Sequence, residues 1–284
     1  LFCGMDFYDA VNHALTTAST GGFSPKQNSI AFYNSPAIDY VIVIFMFLAG
    51  TNFTLLFFGF NGQFKRFWNN DEFKWYLLYI GLLIAFITPF VYFQGDGTFE
   101  KAFRDVVFQV VSIVTTTGFA SADFTTWGPL VTFIFFLLLF SGASAGSTSG
   151  GIKIVRIILL MKNGFIEFKR RLHPNAVIPV YLNKTAVSSK IIYNLLAFIF
   201  LYLFIFTIGS IAMTALGLDF LTAISSVATA LGNVGPGISS VGPSETFAHL
   251  PSAGKLILAF LMLCGRLELF TVILLFTPYF WRRI

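Results

Sequence analysis

FRDVVFQVVSIVTTTGFAS, residues 103–121, is the stretch that decides the fold. Helix-compatible, amphipathic residues follow Phe103 and give way to a polar run, Thr115–Thr117, that ends on Gly118. The same texture occurs twice more, as FYDAVNHALTTASTGGFS from Phe7 and FLTAISSVATALGNVGPGIS from Phe220. In each copy the opening Phe lies 15 residues before a glycine, Gly22, Gly118 or Gly235, and no gap is needed to align them. Repetition at fixed spacing marks a structural unit used more than once. The helical part is about 12 residues, or ~18 Å, too short to cross ~30 Å of hydrocarbon.

Long apolar runs surround these segments: Ala37–Phe58, Trp75–Phe93, Pro129–Phe140, Ile191–Leu218 and Leu256–Phe276. The chain is 56% hydrophobic and 11% charged, with 37 Phe among 284 residues. Soluble domains carry about 25% charged residues, so the reading is a multi-pass membrane protein, and no run looks like a cleavable signal peptide. The repeated unit is therefore helix, half-length helix, polar glycine loop, helix. Irregular backbone at membrane depth is tolerated only where it is buried in protein or lines a wet cavity.

The net charge of +5 is not a nucleic-acid signature, because of where the cations sit. Lys65, Arg66 and Lys74 fall in one connection. Lys162, Lys169, Arg170, Arg171, Lys184 and Lys190 fall in another, and Arg282 and Arg283 in the tail. Cytoplasmic loops concentrate basic residues, which places the tail inside, the glycine loops outside and five crossings between. Cys3 and Cys264 form no redox or metal motif, and His13, His173 and His249 form no ligand cluster. No nucleophile and base are grouped as an enzyme would need.

A dehydrated potassium ion needs several oxygen ligands, which rings of backbone carbonyls supply. Aiming successive carbonyls at one axis requires backbone angles that glycine reaches freely. Preceding Thr and Ser add hydroxyl oxygens, and the negative ends of the half-helices face the same point. The unit suits a cation.

The motifs TTASTGGFS (16–24), SIVTTTGFA (112–120), SGASAGSTSGGIKIVR (141–156), GNVGPG (232–237), GRLELF (265–270) and TPYFW (277–281) carry a resemblance that covers the whole chain. The sequence resembles the potassium transporters built from four fused helix–pore-loop–helix units, specifically the bacterial Trk-type membrane subunit. The resemblance implies an all-α membrane protein with repeated pore units around a central pore, the first unit missing from this chain. It implies units at 1–62 (pore loop and following helix), 63–172 and 173–284. It also implies potassium uptake across the bacterial inner membrane, with the glycine loops periplasmic and the C-terminus cytoplasmic. The filter positions carried over are Thr20, Gly21 and Gly22; Thr116, Thr117 and Gly118; and Asn233, Val234 and Gly235. Pro236 after Gly235 sets the third loop apart. A homodimer and a cytosolic nucleotide-binding regulatory subunit are implied as partners, beside membrane lipid. A sodium-conducting member of the superfamily is the alternative, and a glycine in each of the three loops favours potassium. A coupled secondary transporter is a further alternative, but its broken helices usually span.

Ser141–Gly151 reads SGASAGSTSGG between two apolar runs, hence at mid-membrane. Gly142, Gly146 and Gly150 recur every four residues, as at a helix-packing face. Gly and Ser also destabilise a helix, and an unwound segment at that depth must line the cavity. The loop reading is favoured, and the family resemblance makes Gly142, Gly146, Gly150 and Gly151 part of an intramembrane gate. Arg266 and Glu268 lie inside the last apolar run, where charge is expensive. They form either a local pair or a functional element in which Arg266 contacts carbonyls or hydroxyls of 141–151. Lys162–Pro174 is basic and amphipathic, reading as a helix snorkelling onto anionic lipid or as a docking surface.

Overall fold

The computed structural model describes residues 1–95 and 97–281; the basic tail positions Arg282 and Arg283 lie outside the described residues. The helices are α1 (Phe7–Ala18), α2 (Pro36–Ala49), α3 (Phe53–Phe60), α4 (Phe64–Trp68), α5 (Asp71–Gln94), α6 (Phe99–Val114), α7 (Pro129–Leu138) and α8 (Ile154–Leu172). After a short hairpin come α9 (Ser189–Ala215), α10 (Phe220–Gly232), α11 (Ser252–Arg266), α12 (Leu269–Leu275) and α13 (Pro278–Trp281).

The three repeats become α1, α6 and α10, of 12, 16 and 13 residues. All three are too short to span. Their starts are written in the sequence. Thr98 accepts a hydrogen bond from the Lys101 amide at the head of α6, and Asp219 accepts one from the Thr222 amide at the head of α10. The Thr222 contacts hold the Asp219 carboxyl below the usual carboxylate range. Helix α6 packs between α2 and α5, and α10 between α9 and α11. Val106, Phe108, Val110, Val111, Ile113 and Val114 of α6 are buried, as is nearly all of α10 after Leu221. A buried ion pair, Arg104 Nη1 to Asp39 Oδ2 at 3.0 Å, fastens α6 to the first turn of α2.

Among the described residues, two runs form unbroken apolar helices long enough to cross, α5 and α9, of 24 and 27 residues. The first and last runs, read as two of the five crossings, are bent. Helices α2 and α3 meet at 108°, and α11 and α12 at 116°. At the first bend the Asn52 side chain accepts from the amides of Thr54 and Leu55, which starts a new helix in mid-run. At the second, Glu268 adopts φ +68°, which no α-helix accommodates. Among the described residues the all-α expectation has one exception: β1 (Val180–Leu182) pairs antiparallel with β2 (Thr185–Val187). Asn183 and Lys184 take φ +48° and +64°, the two-residue turn that matches strand twist. Asn183 and Asp71 exchange hydrogen bonds of 2.7 and 2.8 Å, docking this hairpin on the start of α5.

Candidate functional site: three glycine loops above an intramembrane loop

Each short helix ends in the same way. The amides of Thr20, Thr116 and Asn233 bond the carbonyls three residues back, Thr17, Ile113 and Ala230. The next amides, of Gly21, Thr117 and Val234, reach five residues back to Thr16, Ser112 and Thr229. That pair of bonds is a Schellman closure, which needs a left-handed residue just beyond the helix. Thr20, Thr116 and Asn233 fill that position at φ +50°, +55° and +55°. Two residues on, Gly22, Gly118 and Gly235 are again left-handed, at +65°, +82° and +113°. Left-handed residues thus alternate with ordinary ones through each loop, and alternation of that kind turns successive carbonyls toward one side. The sequence reading anticipated the glycines. It did not anticipate left-handed Thr, because a β-branched residue there is a genuine outlier.

The loops also pack on one another by one repeated relation. A Cβ at Gly22 would fall on the carbonyl of Thr117, 2.9 Å from its carbon. A Cβ at Gly118 would fall on the carbonyl of Val234, 3.0 Å from its carbon. The first loop therefore abuts the second, and the second the third, in consecutive order. The nine predicted loop residues are brought together. Between the third loop and the first lies a cavity of about 630 Å³, lined by Thr20, Gly21, Asn233, Val234 and Arg266 among others.

The third loop departs from the other two, as Pro236 implied. In the first two, a hydroxyl six residues before the glycine clasps the carbonyl just after it: Thr16 to Phe23 at 3.0 Å and Ser112 to Phe119 at 2.6 Å. In the third, the equivalent Thr229 hydroxyl instead accepts from the Gly235 amide at 2.9 Å.

Residues 141–151 are a loop, not a helix. Its ends meet where the Gly142 amide donates to Ile152 O at 2.8 Å and the Ile152 amide to Phe140 O at 3.0 Å. Gly142 packs directly on the backbone of Gly150 and Gly151, and Gly146 and Gly151 take φ +71° and +63°. These are close-approach and turn positions, so the four-residue spacing does not mark a helix face. The loop tip is held by Glu72 Oε1, which accepts from the Ala145 amide at 2.6 Å, and by Asn52 Nδ2, which donates to Ala145 O at 2.6 Å.

The loop touches all three glycine loops from one side. Thr20 Oγ1 donates to Thr148 O at 2.9 Å. The Gly150 amide donates to Thr116 Oγ1 at 2.6 Å. A Cβ on Gly150 would sit 3.0 Å from Asn233 Cβ. The Thr20 and Thr116 hydroxyls, expected to add oxygens for an ion, are thus spent on the 141–151 loop, while Thr115 and Thr117 bond each other at 2.8 Å.

Arg266 and Glu268 do not pair with each other. Residues two apart do not face each other on a helix, and the break after Arg266 separates them further. Arg266 Nη2 donates to Ser19 O at 3.0 Å, a carbonyl of the first glycine loop and not of 141–151. Glu268 pairs with Arg156 on α8 at 2.7 Å, and Arg156 stacks 3.9 Å above Phe198. Lys153 donates to Ser149 O and to Ser149 Oγ, and so binds the loop. Lys153, Arg156, Arg266 and Glu268 line a cavity of about 360 Å³ with residues 146–151.

Half-length helices closed by recurring glycine loops, with α6 and α10 each packed between two apolar helices, define a multi-pass membrane protein of the pore-loop class. The chain belongs to the TrkH family of cation transport proteins, whose family model matches residues 4–283. It is 37% identical over 281 residues to the Trk system potassium uptake protein TrkH of Halomonas elongata, covering 99% of this chain and 58% of that protein. To the protein of the same name in Escherichia coli it is 36% identical over 283 residues, with the same coverage. Its fold is similar to the crystal structure of the potassium transporter TrkH from Vibrio parahaemolyticus, with a TM-score of 0.92 and 34% identity over 99% of this chain and 60% of that one. The chain thus spans about 58% of the length of these curated relatives.

Proposed function

We propose that this chain forms the greater part of a potassium-uptake pore in the bacterial inner membrane, and that the backbone of its three glycine loops coordinates the ion. The observation that carries the reading is the threefold recurrence of one backbone: left-handed at Thr20, Thr116 and Asn233, and left-handed again at Gly22, Gly118 and Gly235. Carbonyl oxygens turned to one side at membrane depth suit a dehydrated monovalent cation and offer nothing to an anion. The three pore units are 1–62, 63–172 and 173–284, with the glycine loops periplasmic. Residues 141–151 form the gate beneath the filter, with Gly142, Gly146, Gly150 and Gly151 as its close-approach points. Arg266, bonded to Ser19 O, adds a fixed positive charge in the path that resists cations. The two mid-membrane helix breaks next to the loop, at Asn52 and Glu268, support a movable element there. By kinship with Trk systems, the working assembly is a homodimer with a cytosolic nucleotide-binding subunit.

The test is growth of a potassium-uptake-deficient bacterium at limiting potassium when it expresses the full-length protein. Rescue is expected with the native protein and not with Gly118→Val. Rescue that persists with Gly118→Val, or that follows sodium and not potassium, overturns the reading.

A further inference from the structure

The second half of α8 presents an apolar stripe that none of the described residues covers. Met161, Phe165, Phe168 and Leu172 lie at helical spacing on one face and are 54%, 67%, 71% and 76% exposed. At 100° per residue, Lys169 falls on one flank of that stripe and Arg171 on the other. The opposite face is tied down. Arg170 donates to Ile178 O at 2.8 and 3.2 Å, and Lys162 donates to Tyr181 O at 2.9 Å. Helix α8 is thereby clamped to the chain leading into the hairpin, and the stripe faces outward. Glu167 lies near both Arg170 and Arg171, while Lys169 forms no ion pair among the described residues. Between Lys162 and Leu172 four cations stand against one carboxylate.

The helix also sits at the right depth. It begins directly after the mid-membrane loop, at Ile154. At ~1.5 Å per residue the chain reaches the edge of a half-bilayer of ~15 Å after about ten residues, near Gly164. Phe165–Leu172 therefore occupies the boundary between acyl chains and headgroups. An apolar face flanked by cations that reach toward the headgroups is the pattern of an interfacial helix.

We propose that the segment from Met161 to Leu172 is a binding surface for anionic phospholipid of the inner leaflet. Phe165, Phe168 and Leu172 enter the acyl region, and Lys169 and Arg171 pair with headgroup phosphate. Because α8 continues from the 141–151 loop, lipid held here fixes the far end of the element that carries the gate. The lipid assignment itself stands whether or not the conducted ion is potassium.

The experiment places Phe168→Trp in the full-length protein, reconstituted in vesicles of 3:1 phosphatidylcholine to phosphatidylglycerol, with the same fraction of total lipid brominated on its acyl chains in each case, drawn from one lipid or the other. Emission is read as the difference from protein without the substitution, which isolates the introduced indole. At equal mole fraction, brominated phosphatidylglycerol should quench that indole several-fold more effectively than brominated phosphatidylcholine. Lys169→Gln with Arg171→Gln should bring the two lipids to parity, since each surface cation contributes about five-fold near an anionic leaflet. Equal quenching by the two lipids with Lys169 and Arg171 intact would overturn the anionic preference. Blue-shifted emission quenched by neither lipid would mean that protein, a second copy or another subunit, covers the stripe. Red-shifted, unquenched emission would mean water. Either outcome rejects the proposal. Elution as a single species in detergent checks that the variants fold.

Discussion

Thr116→Val isolates the bond between a glycine loop and the 141–151 loop. The Thr116 hydroxyl accepts from the Gly150 amide at 2.6 Å, and Thr116 is fully buried. Valine keeps the shape and the β-branch, so the strain of a left-handed residue is present before and after the change. What is lost is the acceptor, which leaves the Gly150 N–H unpaired in a buried position. An orphaned buried donor costs about 1–3 kcal/mol. If that cost falls on the docked state of the loop, its opening equilibrium rises by roughly 5- to 150-fold. Hydrogen exchange of the peptide spanning 141–151, followed by mass spectrometry on the full-length protein in nanodiscs, reads this directly. Thr117→Val is the control, because the Thr117 hydroxyl bonds only Thr115. Exchange in 141–151 should accelerate for Thr116→Val and stay unchanged for Thr117→Val. Equal exchange in native protein and Thr116→Val, or equal acceleration by both variants, would refute the coupling.

Gly118→Ala should abolish uptake while the protein still accumulates in the membrane, because its Cβ lands on the Val234 carbonyl and the left-handed backbone adds about 1–2 kcal/mol; native-like rubidium uptake would contradict the close packing of the second and third loops. Arg104→Met should lower thermal stability in detergent by about 3–5 kcal/mol, since it strands the buried Asp39 carboxylate, and Arg104→Met with Asp39→Leu should recover most of the loss. Failure of the double variant to recover would locate the cost elsewhere. Arg266→Ala removes the bond to Ser19 O and the positive charge proposed to stand in the ion path, so basal flux measured in proteoliposomes should rise; unchanged flux and unchanged gating would count against a role in closure.

The glycine positions were legible because the left-handed requirement there is nearly exclusive to glycine, and the repeat spacing exposed all three at once. The unwound 141–151 segment was legible from eleven consecutive small residues at membrane depth. The helix breaks at Asn52 and Glu268 were not, although Asn52 is a strong cap residue. Hydropathy averages across a single polar residue in an apolar run, and only the bond from Asn52 to Ala145 shows why the chain turns there. The partners of Arg266 and Glu268 were not legible either. Neither a local pair nor a contact of Arg266 with 141–151 forms: tertiary placement gives Arg266 the Ser19 carbonyl, and gives Glu268 the guanidinium of Arg156, 112 residues away.

The left-handed Thr residues have a physical rationale that glycine at the same positions would lack. A Schellman closure normally carries Gly, and Thr there costs about 1–2 kcal/mol. Thr20 and Thr116 nonetheless occupy it, and both hydroxyls reach the 141–151 loop. Asn233, which tolerates the left-handed region more readily, sends its side chain to Met262 O on α11 instead, at 3.1 Å. Each closure residue therefore does two things: it sets the direction of the loop carbonyls, and it bonds an element beside a helix break. The strained backbone is thus held in place by bonds to the 141–151 loop and to α11. On this geometry the loop beneath cannot move without loosening the backbone of the first two glycine loops. The third is tied to the arm that carries Arg266, so movement of that arm would reach the third glycine loop by a separate route.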